Sequence, residues 1–392
     1  MTTPNDLAAL DDILVIDLSP MMPGHFCSMI LADLGARVVK VERPGSGDYS
    51  RSTLPGSFES VNRNKQGLTL DLKRPEAREV LRRLVAKADV LLEGFRPGVV
   101  ARLGADYESL RAVKPDLVYC SISGYGQDGP YRDLSGHDPN YLAVAGVLSL
   151  AGDPEGPPEG VVGASMADLS GSWFATIAIL AALRARDRHG MGQYIDVALA
   201  DSSYALMQSR MVEYLVNGRL DKRTLMARPG IGLFEASDGR HLTIGAAEDH
   251  FWRGLCAVMG LDDWLGDERF QTPVSRRQHG SLIRARLREA FLRKPRDEWL
   301  ERLRAAGVPC APVNDLGEAA EDPHAKARRI IEWIEHPTLG RIPQVRFPAL
   351  LSRTPATMRT RPPLLGEHTD VILQELGYDQ EGVKRLREAG AV

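Results

Sequence analysis

The sequence predicts an α/β fold: a large Rossmann-like domain built on a parallel sheet, plus a smaller α+β domain. Three observations carry this prediction. Short apolar runs with β-branched residues alternate with stretches of helical spacing up to about residue 217. These runs end in turns rich in Pro and Gly. Beyond them the pattern changes to a hairpin signal followed by helices. A chain of 392 residues is also long enough for about two domains.

ILVIDL at 13–18 reads as a buried strand. SPMMPG turns the chain, HFCSMILADLG reads as a helix ending at Gly35, and RVVKVERPG is a second strand with a Pro-Gly stop. GLTLDL at 67–72 is a strand, and 75–88 is a helix with apolar Val80, Leu81 and Leu84. VLLEGF at 90–95, a helix near 98–113 and the strand LVYCSIS at 117–123 continue the alternation. A long helix at 168–188, apolar nearly all round in its first turns, is expected to be buried. The strand QYIDVAL at 193–199 and a helix at 201–217 precede a basic Pro/Gly stretch, which places a boundary near 220–228. LFEASDGRHLTIGA reads as two strands around an Asp-Gly turn. Two or three helices then run to 304, a Pro-rich connection crosses 337–363, and LGEHTDVILQELGY returns to helix.

Bulk properties narrow the function. A net charge of −3 gives no sign of a nucleic-acid partner. Cys27, Cys120, Cys256 and Cys310 lie far apart, so neither a disulfide framework nor a zinc site is signalled, and a reducing compartment is expected. The polar, acidic N-terminus lacks the pattern of a secretory signal. The apolar run at 169–183 is shorter than the roughly 20 residues of a membrane span. A cytoplasmic protein without a membrane partner is the expectation.

GYGQDG at 124–129 fits G-x-G-x-x-G. That loop binds dinucleotides only when a helix starts directly after it. Here PYRDLSGHDPNY follows, with two prolines and turn residues, so a nucleotide cradle is not expected. In parallel sheets ligands sit outside the carboxyl ends of the strands. The turns SPMMPG, ERPGSGD, GFRPG and GYGQDG are therefore the places for a site.

Several motifs together resemble the family III CoA-transferase superfamily (CaiB/BaiF type), which includes the α-methylacyl-CoA racemases. They are RVVKVERPG, NKQGLTLDLK, DVLLEGFRPGVVARLG, SGYGQDGP, GHDPNYLAVAGVLS, ILAALRARDRHGMGQYIDVAL and PLLGEHT. The resemblance implies a large CoA-binding domain from residues 1–224, a small domain from 225–330, and a connection and return to the large domain through 331–392. It also implies an interlocked homodimer, an acyl-CoA substrate, and no permanently bound cofactor or metal. CoA contacts are expected at Arg43, Leu70, Lys73, Gly94, Phe95, Arg96, Arg102, Tyr125, Asp138 and Tyr141.

Two activities remain open. Alone, Asp168 reads as a helix cap. In the resembling transferases an aspartate here is the nucleophile, and in the racemases it is an acid/base. His137, in GHDPNY, resembles the second racemase base, and histidine suits proton exchange because both its forms are accessible near neutrality. Glu248 would support His137; alone it is a first-turn acid favourable to a helix dipole. Backbone N–H groups near Asp168 would stabilise an enolate. The segment after the aspartate reads LSGSW, with Gly171 only, and Trp173 is expected to narrow the pocket. Met21, Met22, Met166 and Met207 lie near these motifs and serve equally as core filling. The first expectation is a 2-methylacyl-CoA racemase using His137 and Asp168. The alternative is a CoA-transferase with Asp168 as nucleophile and His137 a bystander. A silent CoA-binding protein is the third class.

Overall fold

The computed structural model describes residues 7–53, 55–160, 163–218, 221–226 and 228–392. In chain order it contains β1 (Leu14–Asp17), α1 (Met22–Asp33), β2 (Arg37–Glu42), β3 (Lys65–Thr69), α2 (Pro75–Val85), β4 (Val90–Glu93), α3 (Val99–Arg102), α4 (Tyr107–Arg111) and β5 (Val118–Ser123). Next come α5 (Asp138–Val144), α6 (Val147–Leu150), α7 (Met166–His189), β6 (Gln193–Ala198), α8 (Leu199–Leu206), α9 (Gln208–Val216) and α10 (Lys222–Met226). Then follow β7 (Ile231–Glu235), β8 (His241–Gly245), α11 (Asp249–Met259), α12 (Pro273–Gln278), α13 (Gly280–Phe291), α14 (Arg296–Ala305) and β9 (Cys310–Pro312). The chain ends with α15 (Leu316–Glu321), α16 (Pro323–Ala327), β10 (Ile331–His336), β11 (Gly340–Val345), α17 (Thr369–Glu375) and α18 (Gln380–Glu388).

The β-branched runs form a six-stranded parallel sheet in the order β3-β2-β1-β4-β5-β6. Successive residues feed opposite cores. Ile16, Val39, Leu91 and Tyr119 face one side, against α2 and the C-terminal helices through Leu81, Leu84, Ile372 and Leu386. Val15, Val38, Leu92 and Cys120 face the other, against α1 and α7 through Leu31, Ala175, Ile179 and Ala182. Burial on both faces is why these strands read as nearly continuous apolar runs.

By internal contacts the chain divides into two compact units. The first holds 1–148, 160–208 and 328–392; the second holds 149–159 and 209–327. The boundary expected near 220–228 lies inside the second unit, and part of it, Leu220 and Ala227, lies outside the described residues. The second unit has the antiparallel sheet β7-β8-β9, whose expected Asp-Gly turn holds Gly239 at φ 74°. Its core gathers Phe234, Trp252, Leu287, Phe291 and Trp299.

The structure corrects several expectations. The helix near 98–113 is two helices, separated at Gly104 (φ 66°), with Asp106 capping α4 through the Ser109 N–H at 3.0 Å. The helix at 201–217 breaks at Met207 into α8 and α9. Four helices, not two or three, lie between 249 and 305. The Pro-rich connection opens with β11, which forms a hairpin with β10 just before it and sets Pro343 opposite Trp333. A two-stranded ribbon has only edge strands, so a residue without an N–H is tolerated there. Finally, α7 is buried on one face only. Small residues Ala167, Ser170, Gly171 and Ala175 pack inward, while Trp173, Phe174 and Ile177 are exposed. A Cβ on Gly171 would lie 2.2 Å from Leu199, so that glycine permits the close approach of α8. By length and composition α7 could cross a bilayer, but half of it is buried within the protein.

Candidate active site

The strand order reverses between β1 and β4, and sheets of this kind bind ligands at that point. The chain leaves β1 through Ser19–Gly24, a turn that runs into the first residues of α1, and leaves β4 through Gly94–Gly98. Two cavities open beside them and share Pro20 and Phe95. One, of about 260 Å³, is lined by Arg43, Leu70, Lys73 and Phe95 among others. The other, of about 540 Å³, is lined by Gly94, Phe95, Arg96, His137, Tyr141 and Asp168. The structure thus brings nine of the expected residues to these cavities from five separate segments of the chain.

 Eight of these nine line one cavity, and Phe95 lines both. Among the described residues, no carboxylate pairs with the side chains of Arg43, Lys73 or Arg96, so their charges are uncommitted.

The remaining expected residues lie elsewhere. Arg102 ends α3 on the surface and lines neither cavity. Tyr125 packs edge-on against Tyr131 and Tyr141. Glu248 belongs to the second unit, where it is the exposed N-cap of α11 and makes no side-chain capping bond. Trp173, expected to narrow the pocket, is exposed and lines neither cavity.

Asp168 stands in the first turn of α7, but the capping role falls to another residue. Asp138, buried at the start of α5, accepts from the Ala167 N–H at 2.6 Å and the Asp168 N–H at 3.2 Å. Two consequences follow. These N–H groups, expected to polarise a substrate carbonyl, are already paired. The Asp168 carboxyl itself has no hydrogen-bond donor among the described residues. Burial, followed by the nearby Asp138 charge, pushes it up to about 7.

His137 is exposed and is the N-cap residue just before α5, with its N–H donating to Asn140 Oδ1 at 2.9 Å. Tyr141 donates its hydroxyl to the Gly136 carbonyl at 2.6 Å, and burial pushes its phenol up to about 12. Its ring explains two glycines of the motifs. A Cβ on Gly124 or Gly136 would come within 2.7 Å of it. Gly126 and Gly129 take φ of 88° and 83° in the following turn, and the next helix begins only at Asp138. The G-x-G-x-x-G spacing is therefore a turn packed against tyrosine, not a phosphate loop.

Sequence reasoning missed the support beneath this site. Asp17, His25, Lys40 and Lys65 are buried together behind the Ser19–Gly24 turn. The signal was there: single charged residues inside otherwise apolar strand patterns. Glu93 was missed too. It accepts from the Phe95 N–H at 2.8 Å and from the Ser121 hydroxyl, and so fixes the backbone between the cavities. Burial pushes its carboxyl up to about 7. Among the described residues no cluster of His, Cys, Asp and Glu is placed to hold a metal.

The family model of CoA-transferase family III matches residues 10–369. The chain belongs to this family. A succinate–glutarate CoA-transferase from Agrobacterium fabrum is 36% identical over 95% of this chain and 97% of its own length. A succinyl-CoA:mesaconate CoA-transferase from Haloarcula marismortui is 35% identical, over 95% and 98%. A CaiB/BaiF family protein of known structure from Brucella suis superposes with a TM-score of 0.83 at 35% identity, covering 94% of this chain and 99% of that one. The transferase names of the relatives correct the order of the two activities expected from sequence: transfer now stands ahead of racemisation.

Proposed function

We propose that this protein moves CoA between two carboxylic acids, with Asp168 as the nucleophile. The observation that carries the reading is a half-buried carboxyl with no hydrogen-bond donor among the described residues, in a cavity that shares Pro20 and Phe95 with a second one lined by Arg43 and Lys73. Once ionised, such a carboxylate is poorly solvated and correspondingly reactive. It attacks the thioester carbonyl of the donor, the C–S bond breaks, and CoA leaves as thiolate from a mixed anhydride. The thiolate attacks the Asp168 carbonyl and releases the donor acid, which leaves CoA on Asp168. The acceptor carboxylate then runs the same two steps backwards. Each step exchanges one anion for another, so no general base is needed. Racemisation, by contrast, requires two.

Arg43 and Lys73 suit the phosphates of CoA, with Leu70 and Phe95 as apolar walls. Arg96, which lines the same cavity as Asp168, suits the far carboxylate of a short dicarboxylic acid, the substrate class that the names of the relatives support. The exposed apolar face of α7, where Ile177 is 60% accessible, supports a homodimer, because a face of this kind is normally covered.

One observation favours the second reading: His137 lines the same cavity as Asp168. A single experiment separates the two. With succinyl-CoA and no acceptor, transfer predicts CoA attached to Asp168 by mass spectrometry, and then its passage to added glutarate. His137→Ala should lower that transfer by less than about threefold. Deuterium entering C2 of a 2-methylacyl-CoA in heavy water, lost in His137→Ala, would replace transfer by racemisation.

A further inference from the structure

The wall of the Asp168 cavity formed by Pro20, Met21, Pro23 and Gly24 is held in an unfavourable shape. Met21 has φ 69° and ψ 177°, a region occupied almost only by glycine. Such a conformation persists only where the surroundings over-determine it. From behind, they do. The Ser19 carbonyl accepts from Lys40 Nζ and lies 3.1 Å from His25 Nε2. Asp17 Oδ1 accepts from the Ser19 N–H at 2.9 Å and its hydroxyl at 2.5 Å. Lys65 Nζ donates to the His25 carbonyl at 2.9 Å and to Asp17 Oδ2 at 3.3 Å. A Cβ on Gly24 would lie 2.0 Å from Ser19 Oγ, so the turn also closes sterically on itself.

From the front, one group joins this turn to the helix that carries Asp168. The Ser172 hydroxyl is buried, 2.7 Å from the Pro23 carbonyl oxygen and 2.7 Å from the Asp168 carbonyl oxygen. It has one proton to share between the two acceptors. A serine needing only to satisfy its hydroxyl would stop at the helix carbonyl four residues back. Ser172 reaches a second element as well, and that element is the cavity wall.

We propose that Ser172 is a positioning residue: it fixes the spacing between the Asp168 turn of α7 and the strained Ser19–Gly24 wall against which the thioester carbonyl is attacked. The proposal rests on Asp168 being the nucleophile. Attack and departure occur at a carbon held between these two elements, and a displacement on the order of 1 Å costs about a hundredfold in rate. Ser172 lines neither cavity, so its effect belongs in kcat and not in the binding of CoA.

Ser172→Ala removes the hydroxyl and adds no bulk. The expected result is a fall of about ten- to a hundredfold in kcat and in the rate at which CoA appears on Asp168, with KM for the acyl-CoA within about twofold. Met21→Gly provides a second reading of opposite sign. Relief of the strained φ should raise the melting temperature, while the loosened wall lowers kcat. If Ser172→Ala loads Asp168 at the wild-type rate, or if Met21→Gly gains stability with unchanged kcat, the proposal is overturned. Failure of the wild type to load Asp168 would instead overturn the transferase reading, so the two failures are distinguishable.

Discussion

Asp17 and Asp168 are both aspartates withdrawn from water in the same unit, near the same sheet edge, and they differ in almost every other respect. Asp17 ends β1 with no exposure and is surrounded by donors: Ser19, Ser28 at 2.6 Å, Lys65, and the Lys40 ammonium at 3.6 Å. Burial alone would raise its carboxyl, but the two lysines, His25 and Ser19 outweigh burial and hold it well below the ordinary carboxylate range. Asp168 has no donor among the described residues, and the nearby Asp138 carboxylate is a like charge; burial and that charge both push it up, to about 7. Burial thus does not distinguish a structural carboxylate from a reactive one. What distinguishes them is whether the protein replaces the lost water.

The largest test of this contrast is Asp168→Asn. It should reduce CoA transfer by more than about a thousandfold, measured with saturating donor and acceptor. Its effect on stability should have the opposite sign. A carboxyl whose folded value lies above its unfolded one makes the folded state progressively costlier as pH rises between the two. The variant should therefore melt above the wild type at pH 8 and lose that advantage towards pH 4. The next largest test is Asp17→Asn. It leaves Lys65 buried without its carboxylate and Lys40 with only Asp48 at 4.0 Å, which costs about 3–5 kcal/mol by chemical denaturation. Here the linkage runs the other way: the stabilisation by Asp17 is present above the ordinary carboxylate range and is lost as pH falls from that range towards the depressed folded value. If both variants were destabilised alike at pH 8, the contrast between the two aspartates would be broken.

The sheet was legible because its strands are buried on both faces, which leaves continuous β-branched runs bounded by turns. The site was legible where a motif holds its own geometry, as in the turns after β1 and β4. Contacts across long separations were not. Asp138 caps a helix 29 residues further on, and Ser172 reaches Pro23 across 149 residues. Met21 carried no signal, since a left-handed position is read from glycine and this one is methionine. The two faces of α7 escaped for another reason. Trp173, Phe174 and Ile177 are as apolar as the buried side, so periodicity could not tell which side meets the sheet.

The smallest expected effect sharpens the comparison most. Asp138→Asn keeps an oxygen to accept from the Ala167 and Asp168 N–H groups, so the cap on α7 survives. It removes only the like charge. The other titratable or charged groups at this cavity, His137, Tyr141, Arg96 and Arg132, are unchanged. Since attack requires ionised Asp168, the wild-type kcat/KM should rise with pH through about 7 and then level off. In the variant this limb should move to lower pH. It should not return to the ordinary carboxylate range, because burial is the larger cause and remains. Initial rates between pH 4 and 8 read the shift directly. A limb left in place would show that Asp138 acts on Asp168 only by capping its helix, and that desolvation alone separates the reactive aspartate from Asp17.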